Sequence, residues 1–353
     1  VVDGEGKKMS KSVGNVIHPQ DIMSKYGADI MRLWVAASDY ESDIKLSPEI
    51  LARLADGYRK IRNTFRFLLS NLYDFDPVKD KLSVETLTET DKWMLSRLHG
   101  LLGEVEGYYD NCEFYKVYRA VYNFCVYEVS AFYLDVSKDI LYVASPRSKE
   151  RRSTQTAIFN VLNVLARITA PILSFTTEEI WGHINIEEKE ESIHMADWPD
   201  ISGDIAGWKD EKLDAKWQRI LAIRGSVMKL LEAKREEGLI ASSLEAAVLF
   251  YPGDEKMSSF LRENLQLLCA LFKVSETVIA GDASRCAEKK KNTDAEEKTE
   301  NVPDMALRIG VRRARGIKCR RCWNYSLTVG KNMNLSDLCE RCCNVILERS
   351  NNG

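Results

Sequence analysis

Four of the nine cysteines fall in two Cys-x-x-Cys pairs, Cys319-Arg-Arg-Cys322 and Cys339-Glu-Arg-Cys342, with 16 residues between them. Each pair brings two thiolates to one side of a tight turn, and two such turns complete a tetrahedron around one zinc ion. The spacing predicts a closed, structural site that holds together a segment too small to fold on an apolar core. Arg320, Arg321 and Arg341 favour the thiolate form and offset the negative charge of a zinc tetrathiolate. Two disulfides are the alternative. Cys343 could replace Cys342, although the spacing favours Cys342. Cys112, Cys125, Cys269 and Cys286 have no partner at ligand spacing, and all but Cys286, which lies in a charged linker, are expected to be buried as small hydrophobes.

A second constellation lies at the other end. Lys7-Lys8-Met9-Ser10-Lys11-Ser12 sets three ammonium groups and two hydroxyls on a loop flanked by Gly4, Gly6 and Gly14. Lysines on a pliable backbone can swing toward a triphosphate as charge builds on its leaving group. Composition alone leaves the plainer reading open, an exposed basic loop.

Both motifs must be positioned by a chain of 353 residues, 45% hydrophobic and 29% charged, long enough for several domains. Mean hydropathy is −0.29. Disordered, collagenous and small secreted disulfide classes are excluded, and the cysteine usage predicts a reducing, cytoplasmic setting. The longest apolar stretch, Ala157 to Phe175, is broken by Asn160, Asn163, Arg167 and Pro171, so a soluble protein is expected. The start at Val1-Val2-Asp3-Gly4 lacks an initiator Met and a signal peptide, and is read as the start of a fragment. Net charge is −3, yet from Arg308 onward ten Lys or Arg face three acidic residues. That local excess suits phosphate, with a solvated basic surface as the other reading.

The elements follow from periodicity. Residues 1 to 18 read as a strand end and a mobile loop, followed by short helices from Pro19 and from Ala28 to Ala36 with Gly27 as a left-handed stop. Ile50, Leu51, Leu54, Tyr58, Ile61, Phe65, Leu68, Leu69 and Leu72 advance by threes and fours, predicting a long helix from Pro48 to about Tyr73. Its other face carries Arg53, Arg59, Lys60, Arg62 and Arg66, either a solvated surface or a rail for a nucleic-acid backbone. Helices are predicted at Asp91 to Glu106, Phe114 to Val136, Thr154 to Thr169 and Thr176 to His183, and again at Leu213 to Glu236 and Lys256 to Leu271. Strands are predicted at Glu245 to Tyr251 and Val274 to Ala280. The expected fold is therefore mainly α. Residues 1–47 form the end of one domain with a helical joint, 48–205 a helical bundle, and 206–281 a small α/β unit. Residues 282–304 form a charged linker or a loop between strands, and 305–353 a zinc domain.

The loop Lys8-Met9-Ser10-Lys11-Ser12 matches the lysine signature of class I aminoacyl-tRNA synthetases. The stretches from Asp3 to Ile17, Tyr26 to Ala36 and Asp39 to Asp43 resemble the isoleucine, valine and leucine subgroup, and are most similar to its isoleucine enzymes. Tyr58 to Thr64, Ala131 to Asp135 and Cys319 to Tyr325 extend the resemblance over essentially the whole chain.

The resemblance implies that residues 1–47 end a Rossmann-type catalytic domain, that the bundle binds the anticodon stem, and that the zinc segment contacts tRNA. It implies ATP with Mg2+ as substrate, Lys11 as the phosphate contact with Lys8 assisting, and Ser10 and Ser12 beside them. It also implies tRNA(Ile) as partner, with Arg59, Arg62, Arg66, Arg320, Arg321 and Trp323 as contacts. Trp323 would stack on a base or brace the knuckle. A monomer is expected. The family's His-x-Gly-His signature is absent, since His18, His99, His183 and His194 all lie outside that pattern, so this chain alone is expected to be inactive. A valine enzyme and a stand-alone zinc-ribbon nucleic-acid binder are the competing readings.

Overall fold

The computed structural model describes residues 1–203, 205–280 and 299–351. Helices α1 (Pro19–Tyr26) and α2 (Ala28–Ala37) meet at Gly27, whose φ of 90° and ψ of 163° favour glycine. This is not the left-handed helical stop expected from sequence, because ψ is extended. Helix α3 (Pro48–Ser70) starts with Pro48 at its first position and the Ser47 hydroxyl accepting the Ile50 N–H at 3.3 Å. It buries Leu51, Ala55, Ile61, Phe65 and Leu68. Helices α4 (Glu89–Asp110) and α7 (Lys149–Thr169) are capped by Thr88 and Ser148. Nearly all of α7 is buried, so it forms the axis of the bundle, and α8 (Ser174–His183) returns after Pro171.

The expected single α-helix over Phe114 to Val136 is corrected. Helix α5 (Phe114–Asn123) passes into a wide-turn π-helix at Phe124–Tyr133 and then into α6 (Leu134–Val143). Thr64 of α3 supports the wide turn, its hydroxyl lying 2.7 Å from Ser130 Oγ and 3.3 Å from the Cys125 carbonyl. These residues belong to a unit made of Val1–Leu141 and Pro146–Asp210. Its end lies beyond the expected position 205, because Trp208 is buried and the Asp210 N–H donates to Ser96 Oγ at 3.2 Å.

The second unit comprises Tyr142–Ser145 and Glu211–Gly353. It contains α9 (Glu211–Glu236), β1 (Ala246–Pro252), α10 (Glu255–Phe272), β2 (Glu276–Ile279), β3 (Glu300–Asn301), β4 (Leu307–Arg313), β5 (Ile317–Lys318), β6 (Tyr325–Ser326) and α11 (Glu340–Asn351). One sheet has the order β2-β1-β4-β3, with β1 parallel to β2 and antiparallel to β4. The boundary expected at 304/305 is therefore corrected: β3, drawn from the supposed linker, pairs with β4, and β4 is an inner strand beside β1. Val302 is buried. Residues 282–298 of the linker, including Cys286, lie outside the described residues. Cys112 is also corrected, since it is exposed in a turn with φ of 56°, whereas Cys125 is buried. Among the described residues no helix is long and apolar enough to cross a membrane.

Candidate metal centre and nucleic-acid interface

The Sγ atoms of Cys319, Cys322, Cys339 and Cys342 all lie within 4.8 Å of one another, and all four residues are buried. Cys322 and Cys339 are 3.7 Å apart at sulfur, close to the edge of about 3.8 Å for a tetrahedron with metal–sulfur bonds of about 2.3 Å. These cysteines are free thiols, not disulfides. Burial raises the Cys319 thiol, but N–H groups of Cys322, Cys339 and Arg321 outweigh it and bring it down to about 6. Burial pushes Cys342 up to about 11 and Cys339 further upward. Cys319 thus forms its thiolate readily, while Cys339 and Cys342 await a cation. This donor set fits a structural zinc, which would supply folding energy to a segment with few apolar side chains.

Local chemistry builds the centre. The Trp323 N–H donates to the Cys319 carbonyl at 2.9 Å, closing the first knuckle with φ of 65° at Trp323. At Gly316, φ is 92° and a Cβ would stand 2.3 Å from the Ser326 carbonyl carbon, so the β5–β6 ribbon requires glycine there. Ser275 Oγ accepts the Tyr325 N–H at 2.7 Å, fastening the ribbon to the sheet. The Cys343 thiol points to the carbonyls of Leu335 and Leu338, each 3.8 Å away, and lies outside the four-sulfur cluster.

The expected contacts around this centre separate. Arg321 donates to Cys342 Sγ at 3.7 Å and so faces the sulfurs. Arg320 is 84% exposed in its side chain, 3.5 Å from Asp337. Trp323 is 60% exposed beneath the Lys318 ammonium, 5.6 Å from its ring centre. Only its backbone closes the knuckle, and the indole is open to solvent.

The lysine loop is tied by residues that sequence reasoning left without a role. Val2 donates to the Ile44 carbonyl and accepts from Leu46, both at 2.9 Å, making isolated bridges instead of a strand. Asp3 accepts the N–H groups of Glu5 at 3.0 Å and Lys7 at 2.9 Å, and the Asn15 amide at 2.8 Å. Asn15 Oδ1 accepts the Ser10 N–H at 2.9 Å. Asn15 therefore joins both arms of the loop, and its hydrogen bond leads those holding the Asp3 carboxyl below its usual range. The Ser10 and Ser12 hydroxyls are 3.2 Å apart. Lys7 pairs with Glu5 at 2.8 Å, whereas the ammonium groups of the exposed Lys8 and Lys11 have no ion-pair partner among the described residues. The signal available for Asn15 was its place after Gly14, whose φ is 73°.

On α3, Arg59 pairs with Asp56 at 2.7 Å, and Arg62 reaches both carboxylate oxygens of Glu179 on α8 at 3.2 Å. Arg66 is exposed and without a partner among the described residues. A cavity of about 600 Å³ opens here, lined by Arg62, Phe65, Arg66, Leu69, Glu179 and His183. The rail is thus partly neutralised, a fact no single-helix pattern contains, because Glu179 comes from a distant helix.

Three family models match the chain. Residues 1–47 match tRNA synthetases class I (I, L, M and V), 91–250 the anticodon-binding domain of tRNA ligase, and 316–345 the zinc finger found in FPG and IleRS. With the lysine loop, the helical bundle and the four-thiol cluster, these matches place the chain among the class I aminoacyl-tRNA synthetases. Isoleucine–tRNA ligases of Syntrophotalea carbinolica and Natranaerobius thermophilus are 44% and 45% identical to it, each over 99% of the chain. That of Caldanaerobacter subterraneus subsp. tengcongensis is 43% identical, also over 99%. Within the class, the chain is similar to these isoleucine–tRNA ligases and spans about 36% of their length.

Proposed function

We propose that this chain serves an isoleucine–tRNA ligase, supplying the ATP-contacting lysine loop and the tRNA-binding bundle and zinc segment. In the complete enzyme the isoleucine carboxylate attacks the α-phosphate of Mg2+-bound ATP, giving the aminoacyl-adenylate and pyrophosphate. The acyl group then passes to the 3′ end of tRNA(Ile). Lys11, assisted by Lys8, stabilises the charge that grows on the leaving pyrophosphate, and Ser10 and Ser12 offer hydroxyl donors beside it. A loop braced at Asn15 and free at its ammonium groups is suited to that task, since the cations need no ion pair broken before they reach phosphate.

Arg66 is the most available phosphate contact, Arg59, Arg62 and Arg320 contribute once their carboxylate partners yield, and Trp323 offers a stacking face. Arg321 serves the sulfurs instead of the nucleic acid. A monomer in the cytoplasm, where the thiols stay reduced, completes this reading. The observation that carries it is the gathering of four thiols within 4.8 Å in a segment of the IleRS zinc-finger type, on the same chain as an intact lysine loop.

The test is binding of the zinc-loaded chain to isoleucine and valine tRNA transcripts across a salt series. Selective binding of tRNA(Ile) supports the assignment. Equal, steeply salt-dependent binding of both would reduce the chain to a basic zinc module.

A further inference from the structure

Arg62 and Arg66 of α3 lie toward Glu179 and His183 of α8, whereas Lys60, expected from sequence on the same face, lies toward α5. There its ammonium donates to the Tyr122 hydroxyl at 3.1 Å and lies 5.6 Å from the ring centre. Tyr127 meets Tyr122 at 6.4 Å and 82°, and Tyr118 flanks Tyr122 at 6.0 Å. This is not core packing, because Tyr127 is 61% exposed and Lys60 is exposed too, while neighbouring Phe124 and Cys125 are buried.

The wide turn explains how two tyrosines five residues apart share a face. On a regular α-helix, five residues rotate a side chain to about 140° from its starting direction. With i to i+5 hydrogen bonding each residue rotates the chain less, so the fifth comes nearer to line than on a regular helix. The Phe124–Tyr133 segment therefore puts Tyr127 beside Tyr122, and Thr64 anchors that segment to the helix carrying Lys60. An edge-to-face pair leaves an aromatic face open, with an ammonium within reach of a phosphate on the same strand.

We propose that Lys60, Tyr122 and Tyr127 form a subsite for one unpaired nucleotide of tRNA, with Tyr127 stacking on the base and Lys60 contacting the adjoining phosphate. The proposal rests on the tRNA-binding reading above. An RNA strand suits the patch because it offers π-faces and negative charge at each step, whereas an apolar peptide would leave Lys60 uncompensated.

The experiment measures affinity and salt slope for the isoleucine tRNA transcript with the zinc-loaded chain and three variants. Tyr127→Ala is expected to bind about tenfold more weakly with an unchanged salt slope. Tyr127→Phe, which keeps the ring, should stay within about twofold of wild type, and Lys60→Gln should lower the salt slope by about one. Wild-type affinity in Tyr127→Ala, or an equal loss in Tyr127→Phe, would overturn the subsite. Failure of the wild-type chain to bind tRNA would overturn the underlying reading as well, so the two failures are told apart by the wild-type arm.

Discussion

The Asp29 carboxylate on α2 accepts the backbone N–H of Thr176 at 2.7 Å, at the start of α8. It also accepts the Phe175 N–H at 3.2 Å and the Thr176 hydroxyl at 2.5 Å. The cap position of α8 itself is Leu173, which has no side-chain acceptor, so α8 borrows its cap from a helix nearly 150 residues earlier. Arg32, one turn along α2, donates to the carbonyls of Ile172 and Pro171 at 3.0 and 2.6 Å. The segment following the lysine loop is thereby fixed to the bundle at both kinds of backbone group.

Asp29→Ala should destabilise the helical unit by about 2 kcal/mol, since it strips buried N–H groups of an acceptor and removes a negative charge from a helix N-terminus. Urea unfolding followed by far-UV circular dichroism measures this. A loss under about 0.5 kcal/mol would mean that water replaces the carboxylate without cost.

Zinc content separates the cysteines. Cys319→Ser and Cys342→Ser should each drop from about one zinc per chain to a weakly held fraction, while Cys343→Ser keeps full occupancy because its thiol faces carbonyls. Metal analysis after gel filtration provides the count. Stripping with a chelator should unfold the 316–345 segment and spare the helices of the first unit.

Asp74 and Arg151 form an ion pair at 2.5 Å, with the Arg151 side chain only 5% exposed. Burial raises the Asp74 carboxyl, but hydrogen bonds from Arg151 and Gln155 and the charges of Arg151 and Arg152 outweigh it and hold it below the ordinary 3.8. With the folded value depressed, the unfolded chain takes up the proton more readily. The pair's stabilisation is present above the ordinary value and is lost as pH falls through the folded one. Asp74→Asn should cost about 3 kcal/mol at neutral pH by leaving a buried guanidinium uncompensated. Its deficit relative to wild type should shrink in acid, as unfolding midpoints at pH 7 and pH 3 would record. A deficit independent of pH would rule out the ion pair as its source.

In the complete ligase, Lys11→Ala should slow adenylate formation about a hundredfold while isoleucine affinity changes little, because the contact strengthens in the transition state. Asn15→Ala should show a smaller rate loss, through an unbraced loop with its lysines intact. Single-turnover pyrophosphate release reads both. Equal losses in rate and ground-state binding for Lys11→Ala would contradict transition-state stabilisation.

Sequence alone reached the long helices, the lysine loop and the cysteine ligands, because each is written in local spacing: threes and fours on α3, two residues between paired thiols, five consecutive positions from Lys8 to Ser12. Local spacing could not reveal that Glu179 neutralises Arg62 or that β4 joins the β1 sheet. Those depend on partners far along the chain. The wide turn at Phe124–Tyr133 was equally hidden, since the hydroxyl that supports it at the Cys125 carbonyl comes from Thr64 on another helix. The sequence thus determined which groups could bind metal, phosphate or base, for side-chain chemistry and short-range geometry are local properties. Tertiary structure decided which of those groups stand free, because burial, ion pairing and borrowed caps arise only when distant segments meet.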